Sequence, residues 1–130
     1  MVIDTSALVA ILFNEPERHR FNELIEADET RLISAATLLE ASLVIESRRG
    51  EPAGRELDLL MHRAKVSVVS VDEEQAEVAR VAWRAYGKGR HAAGLNFGDC
   101  FSYALSKVSE EPLLAKGEDF SRTDIMLCVI

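Results

Sequence analysis

No stretch of this sequence approaches the ~18 consecutive apolar residues that a bilayer-spanning helix needs. The opening residues Met1 to Ser6 lack a basic leader region and carry an aspartate at position 4, so no membrane partner is expected and the expected location is the cytoplasm. Low-complexity segments and internal repeats are missing as well. Cysteine is scarce: Cys100 and Cys128 share no CxxC or Cys/His spacing, and both fall in segments that read as buried, where a thiol serves as a small apolar side chain. The histidines His19, His62 and His91 lack the partnered spacing of a zinc site or a catalytic triad. Basic residues are outnumbered, 15 against 22 acidic, for a net charge of −7. Taken as a sum, that charge disfavours a nucleic-acid partner, because phosphate binding calls for Lys and Arg.

What is present is an ordinary globular composition, 48% hydrophobic and 28% charged over 130 residues, which suits one domain over residues 1–130 with a single core. Short aliphatic runs at Val2–Ile3, Leu32–Ser34, Val66–Val71, Leu113–Ala115 and Ile125–Ile130 predict five strands. Helical patterns fill the intervals: Ser6–Phe13, Pro16–Ala27, Thr37–Arg49, Gly54–Lys65, Asp72–Tyr86 and Phe97–Ser109. Alternation of this kind predicts a three-layer α/β/α fold around a central, mainly parallel, five-stranded sheet. The segment Gly87 to Asn96, rich in glycine and basic residues, is expected to be a flexible loop flanking a site.

In an open parallel sheet, ligands bind beyond the carboxyl ends of the strands, so acids placed just after strands or at helix starts matter most. Four stand out: Asp4 after the first strand, Glu40 one turn into the helix after the second, Asp99 opening the helix at Phe97, and Asp119 after the fourth. Each has a structural alternative: Asp4 as an N-cap, Glu40 and Asp99 as capping-box acids after Thr37 and Asn96, and Asp119 as a turn residue. Glu40 sits among Leu38, Leu39, Leu43 and Val44, an apolar setting in which a lone carboxylate needs compensation. Clustered carboxylates repel, by about 4 kcal/mol for a pair at ~4 Å and an effective dielectric near 20. An all-oxygen cluster without His or Cys therefore predicts Mg²⁺, or Mn²⁺, and phosphodiester hydrolysis.

Val2-Ile3-Asp4-Thr5-Ser6, the isolated Glu40, Asn96-Phe97-Gly98-Asp99 and Leu114-Ala115-Lys116-Gly117-Glu118-Asp119-Phe120 resemble, in order and spacing, the signatures of VapC-type PIN-domain ribonucleases. That resemblance implies a Mg²⁺-dependent endoribonuclease, the toxin of a type II toxin–antitoxin pair, often homodimeric and silenced by a VapB-like antitoxin. It implies Asp4 and Asp99 as principal metal ligands, Glu40 and Asp119 completing the catalytic acids, and Ser6 and Asn96 as supporting polar residues. Where the family commonly has Gly-Asn-Asp-Phe this chain has Gly117-Glu118-Asp119-Phe120, which keeps Asp119. An RNA substrate also needs cations, and Lys88 and Arg90 are the expected phosphate contacts. The competing reading is a catalytically silent PIN-fold module that binds protein or RNA. Phosphatases of the haloacid-dehalogenase type fit poorly, since they require an aspartate where Ser6 stands. Response-regulator receivers fit no better, since Asp58 lies within a helical run.

Overall fold

A computed structural model of the chain describes residues 1–128. Four strands, β1 (Val2–Ile3), β2 (Leu32–Ser34), β3 (Ser67–Val69) and β4 (Leu113–Leu114), form one parallel sheet in the order β3-β2-β1-β4. Five helices complete the fold: α1 (Thr5–Leu12), α2 (Arg18–Ala27), α3 (Ala35–Arg63), α4 (Glu73–Tyr86) and α5 (Phe97–Ser109). A short 3₁₀ turn spans Phe120–Arg122.

The layering follows from the period of two along the strands. Ile3, Ile33 and Leu114 point to one face, where Leu8 and Ile11 of α1, Phe21 of α2 and Ile45 and Leu57 of α3 cover them. Val2 and Leu113 point to the other, under Ala82 of α4 and Tyr103 and Leu105 of α5. Both faces of β1 and β4 are therefore dry, which is why these strands are short runs of aliphatics without polar alternation.

Among the described residues the sheet has four strands and not the expected five. The last segment contributes a single parallel bridge, Leu113 with Leu127, held by Leu113 N donating to Met126 O and Cys128 N to Leu113 O. Val129 and Ile130 of the expected strand lie outside the described residues. Thr37–Arg49 and Gly54–Lys65 join into the single helix α3, kinked at Gly50, whose φ of 77° is left-handed and non-helical. Pro52 follows in the first turn after the kink, where its missing N–H is tolerated. The Gly87–Asn96 segment is more tightly bonded than its composition predicts. Lys88 N donates to Leu95 O, Leu95 N to Tyr86 O and Gly94 N to His91 O, while Ala93 and Leu95 are buried.

Candidate active site

Asp4 marks the switch from strand to helix. Its N–H donates to Leu114 O of the neighbouring strand, and its carbonyl accepts from Ala7 N, so one residue closes β1 and opens α1. The carboxyl is nearly fully buried and caps α1, with Oδ2 accepting from Ser6 N at 3.0 Å and from Ser6 Oγ at 2.7 Å. Its other oxygen, Oδ1, accepts from Ser102 Oγ of α5 at 2.6 Å. Ser6 Oγ in turn accepts from Lys116 N at 2.9 Å. A single hydroxyl thus ties the first acid to the loop that carries Asp119.

Glu40 reaches the same place from α3. Thr5 Oγ1 donates to Glu40 Oε1 at 2.5 Å, and the Glu40 carboxylate lies so close over Gly98 that a Cβ there would overlap it. The capping-box alternative for Glu40 does not hold. The cap of α3 is Ser34, which accepts from Ala36 N, and Thr37 is a buried residue inside the first turn. The apolar setting expected for Glu40 is also different: Leu39 and Leu43 are about 60% exposed, at 61% and 60%, and the core face of α3 is Thr37, Ala41 and Ile45.

Asp99 is one residue beyond Gly98. The capping box at α5 is complete, with Asp99 N donating to Asn96 Oδ1 at 2.9 Å and Asn96 N to Asp99 Oδ2 at 3.0 Å. Burial pushes the Asp99 carboxyl up to about 6; the Asn96 N–H opposes this, and the charges of Asp4, Asp119 and Glu40 add to the rise. Asp119 itself is exposed, at the start of the 3₁₀ turn, without a side-chain capping bond. The charges of Asp4, Asp119 and Glu40 thus all reach the Asp99 carboxyl, near the carboxyl edge of β1 and β4, where the chain reverses its direction across the sheet.

No cation is among the groups that set the Asp99 carboxyl. Lys116, three residues before the fourth acid, is engaged by Glu15 at 2.9 Å and Glu17 at 3.1 Å, and Arg122, three after it, by Glu118 at 3.6 Å. Among the described residues no three His, Cys, Asp or Glu side chains converge into a finished cage. Like charges lacking a counter-ion stay apart, and Asp99 Oδ2 is held by the Asn96 N–H. The donor set is all oxygen and excess negative, which fits a hard divalent ion that retains several waters.

A PIN domain model matches residues 1–126. The chain belongs to the PIN-domain family. Its VapC type is equally plain, since it is 64% identical over 125 residues to ribonuclease VapC30 of Mycobacterium tuberculosis, covering 96% of this chain and 95% of that protein. Among solved structures the PIN fold recurs in VapC20 of Mycobacterium tuberculosis, described as a sarcin–ricin loop cleaving toxin, with a TM-score of 0.78 at 20% identity, covering 98% and 97% of the two chains. It recurs in VapBC2 of Rickettsia felis bound to a DNA fragment from their promoter, with a TM-score of 0.76 at 13% identity, covering 97% and 94%.

Lys88 is exposed, and Arg90 stacks on the Trp83 ring with its Cζ 4.2 Å from the centroid. Asp124 accepts from Tyr103 Oη and pairs with Lys107 at 2.8 Å, a structural role remote from the sheet's carboxyl edge. Three residues at the site escape a reading of the sequence: Thr5, Gly98 and Ser102. Thr5 is adjacent to Asp4 and Gly98 to Asp99, so adjacency to an acid was the available signal for two of them; Ser102 carried none beyond its place one turn after Asp99.

Gly98 yields a direct test. Alanine is the better helix former by about 1 kcal/mol, and Gly98 lies inside α5, yet its Cβ would meet the Glu40 carboxylate. Gly98→Ala is expected to melt within a few degrees of wild type, because the end of the Glu40 side chain can move off at the cost of its Thr5 bond, while RNA cleavage falls about tenfold or more. Unchanged cleavage by a well-folded Gly98→Ala protein would show that the position of Glu40 is immaterial.

Proposed function

We propose that the chain, as one domain over residues 1–130, is a Mg²⁺-dependent endoribonuclease that hydrolyses RNA phosphodiester bonds, with Mn²⁺ able to substitute. In this reading it is the toxin of a type II pair, acts in the cytoplasm as a homodimer and is inhibited by a VapB-like antitoxin. The observation that carries the reading is the approach of Asp4, Glu40 and Asp99 from β1, α3 and α5 to one edge of the sheet, with Thr5, Ser6 and Ser102 fixing two of the three carboxylates. The names of the relatives support RNA as substrate and a VapB partner.

Asp4 and Asp99 would hold the ion, with Glu40 and Asp119 completing the acidic shell. When bound, a divalent ion supplies an activated water and neutralises charge on a phosphoryl oxygen. The protein's own share is positioning. Ser6 and Ser102 fix the Asp4 carboxylate, Thr5 fixes Glu40, and Asn96 orients Asp99 through the capping box. Lys88 and Arg90 would grip phosphates away from the acids, giving the chain a local cationic footing that its net charge hides. An antitoxin would silence the site with a basic segment, since an arginine fork pairs with carboxylates in two-point geometry.

Chelation tests this reading. In excess EDTA cleavage of RNA is expected to vanish, to return on adding Mg²⁺ or Mn²⁺, and not to return with Ca²⁺-free buffer alone. Full cleavage in EDTA would remove the metal mechanism. Absence of cleavage under all conditions, with retained binding to a partner, would favour the silent module.

A further inference from the structure

We propose that Ser102 is a positioning residue that aims the Asp4 carboxylate at the divalent cation. The inference rests on the metal-dependent reading above and adds to it a residue with no charge and no contact with solvent.

Asp4 presents four lone-pair sites and three are occupied. Oδ2 accepts from both Ser6 N and Ser6 Oγ, so only Oδ1 has capacity left, and it is Oδ1 that Ser102 Oγ engages at 2.6 Å. Ser102 therefore sets the direction of the one lone pair that remains for a cation. A carboxylate accepts and does not donate, and a hydroxyl has a single proton. The Ser102 proton is thus committed to Asp4, and the 3.3 Å contact between Thr37 Oγ1 and Ser102 Oγ has Thr37 as donor. The order Thr37 to Ser102 to Asp4 fixes every proton in the chain of bonds.

This relay crosses the same three elements that deliver the acids. Thr37 precedes Glu40 by three residues on α3, Ser102 follows Asp99 by three on α5, and Asp4 ends β1. Residues three apart share a helix face, so each hydroxyl lies on the face of its helix that carries the acid. Both Ser102 and Thr37 are sealed from water, at 0% and 1% exposure. Serine is the weaker helix former, and alanine would fill that buried position without a polar atom to satisfy. What alanine lacks is the bond to Asp4 and the acceptor for Thr37.

Groups that hydrogen-bond to a metal ligand typically change metal affinity 10–100-fold when removed. The experiment compares wild type, Ser102→Ala and Ser102→Thr, measuring Mn²⁺ binding by calorimetry without RNA, thermal melts in EDTA, and cleavage as a function of Mg²⁺ concentration. Ser102→Ala is expected to fold with a melt lowered by several degrees, since Asp4 Oδ1 and Thr37 lose a buried partner, to bind Mn²⁺ about 10–100-fold more weakly, and to regain most of its cleavage rate at saturating Mg²⁺. Ser102→Thr, which keeps the hydroxyl, is expected to restore Mn²⁺ binding. Wild-type affinity in Ser102→Ala overturns the proposal while leaving the metal reading intact, and so does equal weakening in a Ser102→Thr protein that melts like wild type. A wild-type protein that binds no Mn²⁺ overturns the metal reading and this inference with it.

Discussion

Asp99→Asn should melt a few degrees above wild type in EDTA at pH 8, gain little from Mg²⁺, and lose nearly all cleavage. The Asp99 carboxyl is pushed up to about 6, first by burial and then by Asp4, Asp119 and Glu40, against the Asn96 N–H. A carboxyl raised from its ordinary value of 3.8 is better tolerated in the folded state when protonated. The native state is therefore unpenalised below pH 4, and the penalty grows as pH rises, complete once pH passes about 6. After allowance for screening at a half-buried group, the penalty is about 1–2 kcal/mol. Asparagine is neutral throughout and keeps an oxygen for Asn96 N–H. The mutant's advantage should thus be absent at pH 4, open between pH 4 and 6, and be full above. In wild type, bound Mg²⁺ stabilises the folded state according to its affinity and closes the gap. Below pH 6 the ion must also displace a proton, so its apparent affinity should drop about tenfold per pH unit. Melts from pH 4 to 8, with EDTA and with Mg²⁺, read all of this. A mutant that melts well below wild type at pH 8 and responds equally to Mg²⁺ would make Asp99 a helix cap and nothing more.

Asp4→Asn is expected to abolish cleavage, by a factor of about 10³ or more, with a modest effect on folding. The amide oxygen can accept from Ser6 N and Oγ as Oδ2 does now. Its NH₂ would then face Ser102, whose hydroxyl can turn to accept it and donate to Thr37 Oγ1. The network survives reversed, and the cost is on the order of 1 kcal/mol. What disappears is the negative charge and the open lone pair of Oδ1. Paired measurements of melting temperature and RNA cleavage decide the matter. Cleavage within tenfold of wild type would show that the buried aspartate serves the fold alone.

Much of this was legible in the residues, and the misses share causes. The strands at Val2–Ile3 and Leu32–Ser34 and the helix at Phe97–Ser109 stand where the hydrophobic pattern puts them, because burial on both faces forces short aliphatic runs and the Asn96–Asp99 box marks a helix start. Among the described residues the predicted fifth strand contributes one bridge, at Leu127, on the outer edge of β4. Glu40 was legible as an acid and not in its setting. Leu39 and Leu43 face solvent while Leu38 packs on the core, because three-residue and four-residue spacings define more than one stripe on a helix and only tertiary packing selects which is inward. The loop at Gly87–Asn96 looked free because glycine and charge say nothing about backbone bonds to Tyr86 and Leu95.

The sequence by itself determined the candidates for the site: four carboxylates in order, with a strand-to-helix junction at Asp4 and a capped helix start at Asp99. Those features are local, set by hydrophobic period and capping chemistry within a few residues. Only the tertiary structure decided that Ser102, 98 residues from Asp4, closes on Oδ1, that Thr5 holds Glu40 and that Gly98 makes room for it. Each of those contacts joins elements distant in sequence, and a short hydroxyl or a missing side chain has no periodic signature. Its role exists only once the sheet has brought its partner within hydrogen-bonding reach.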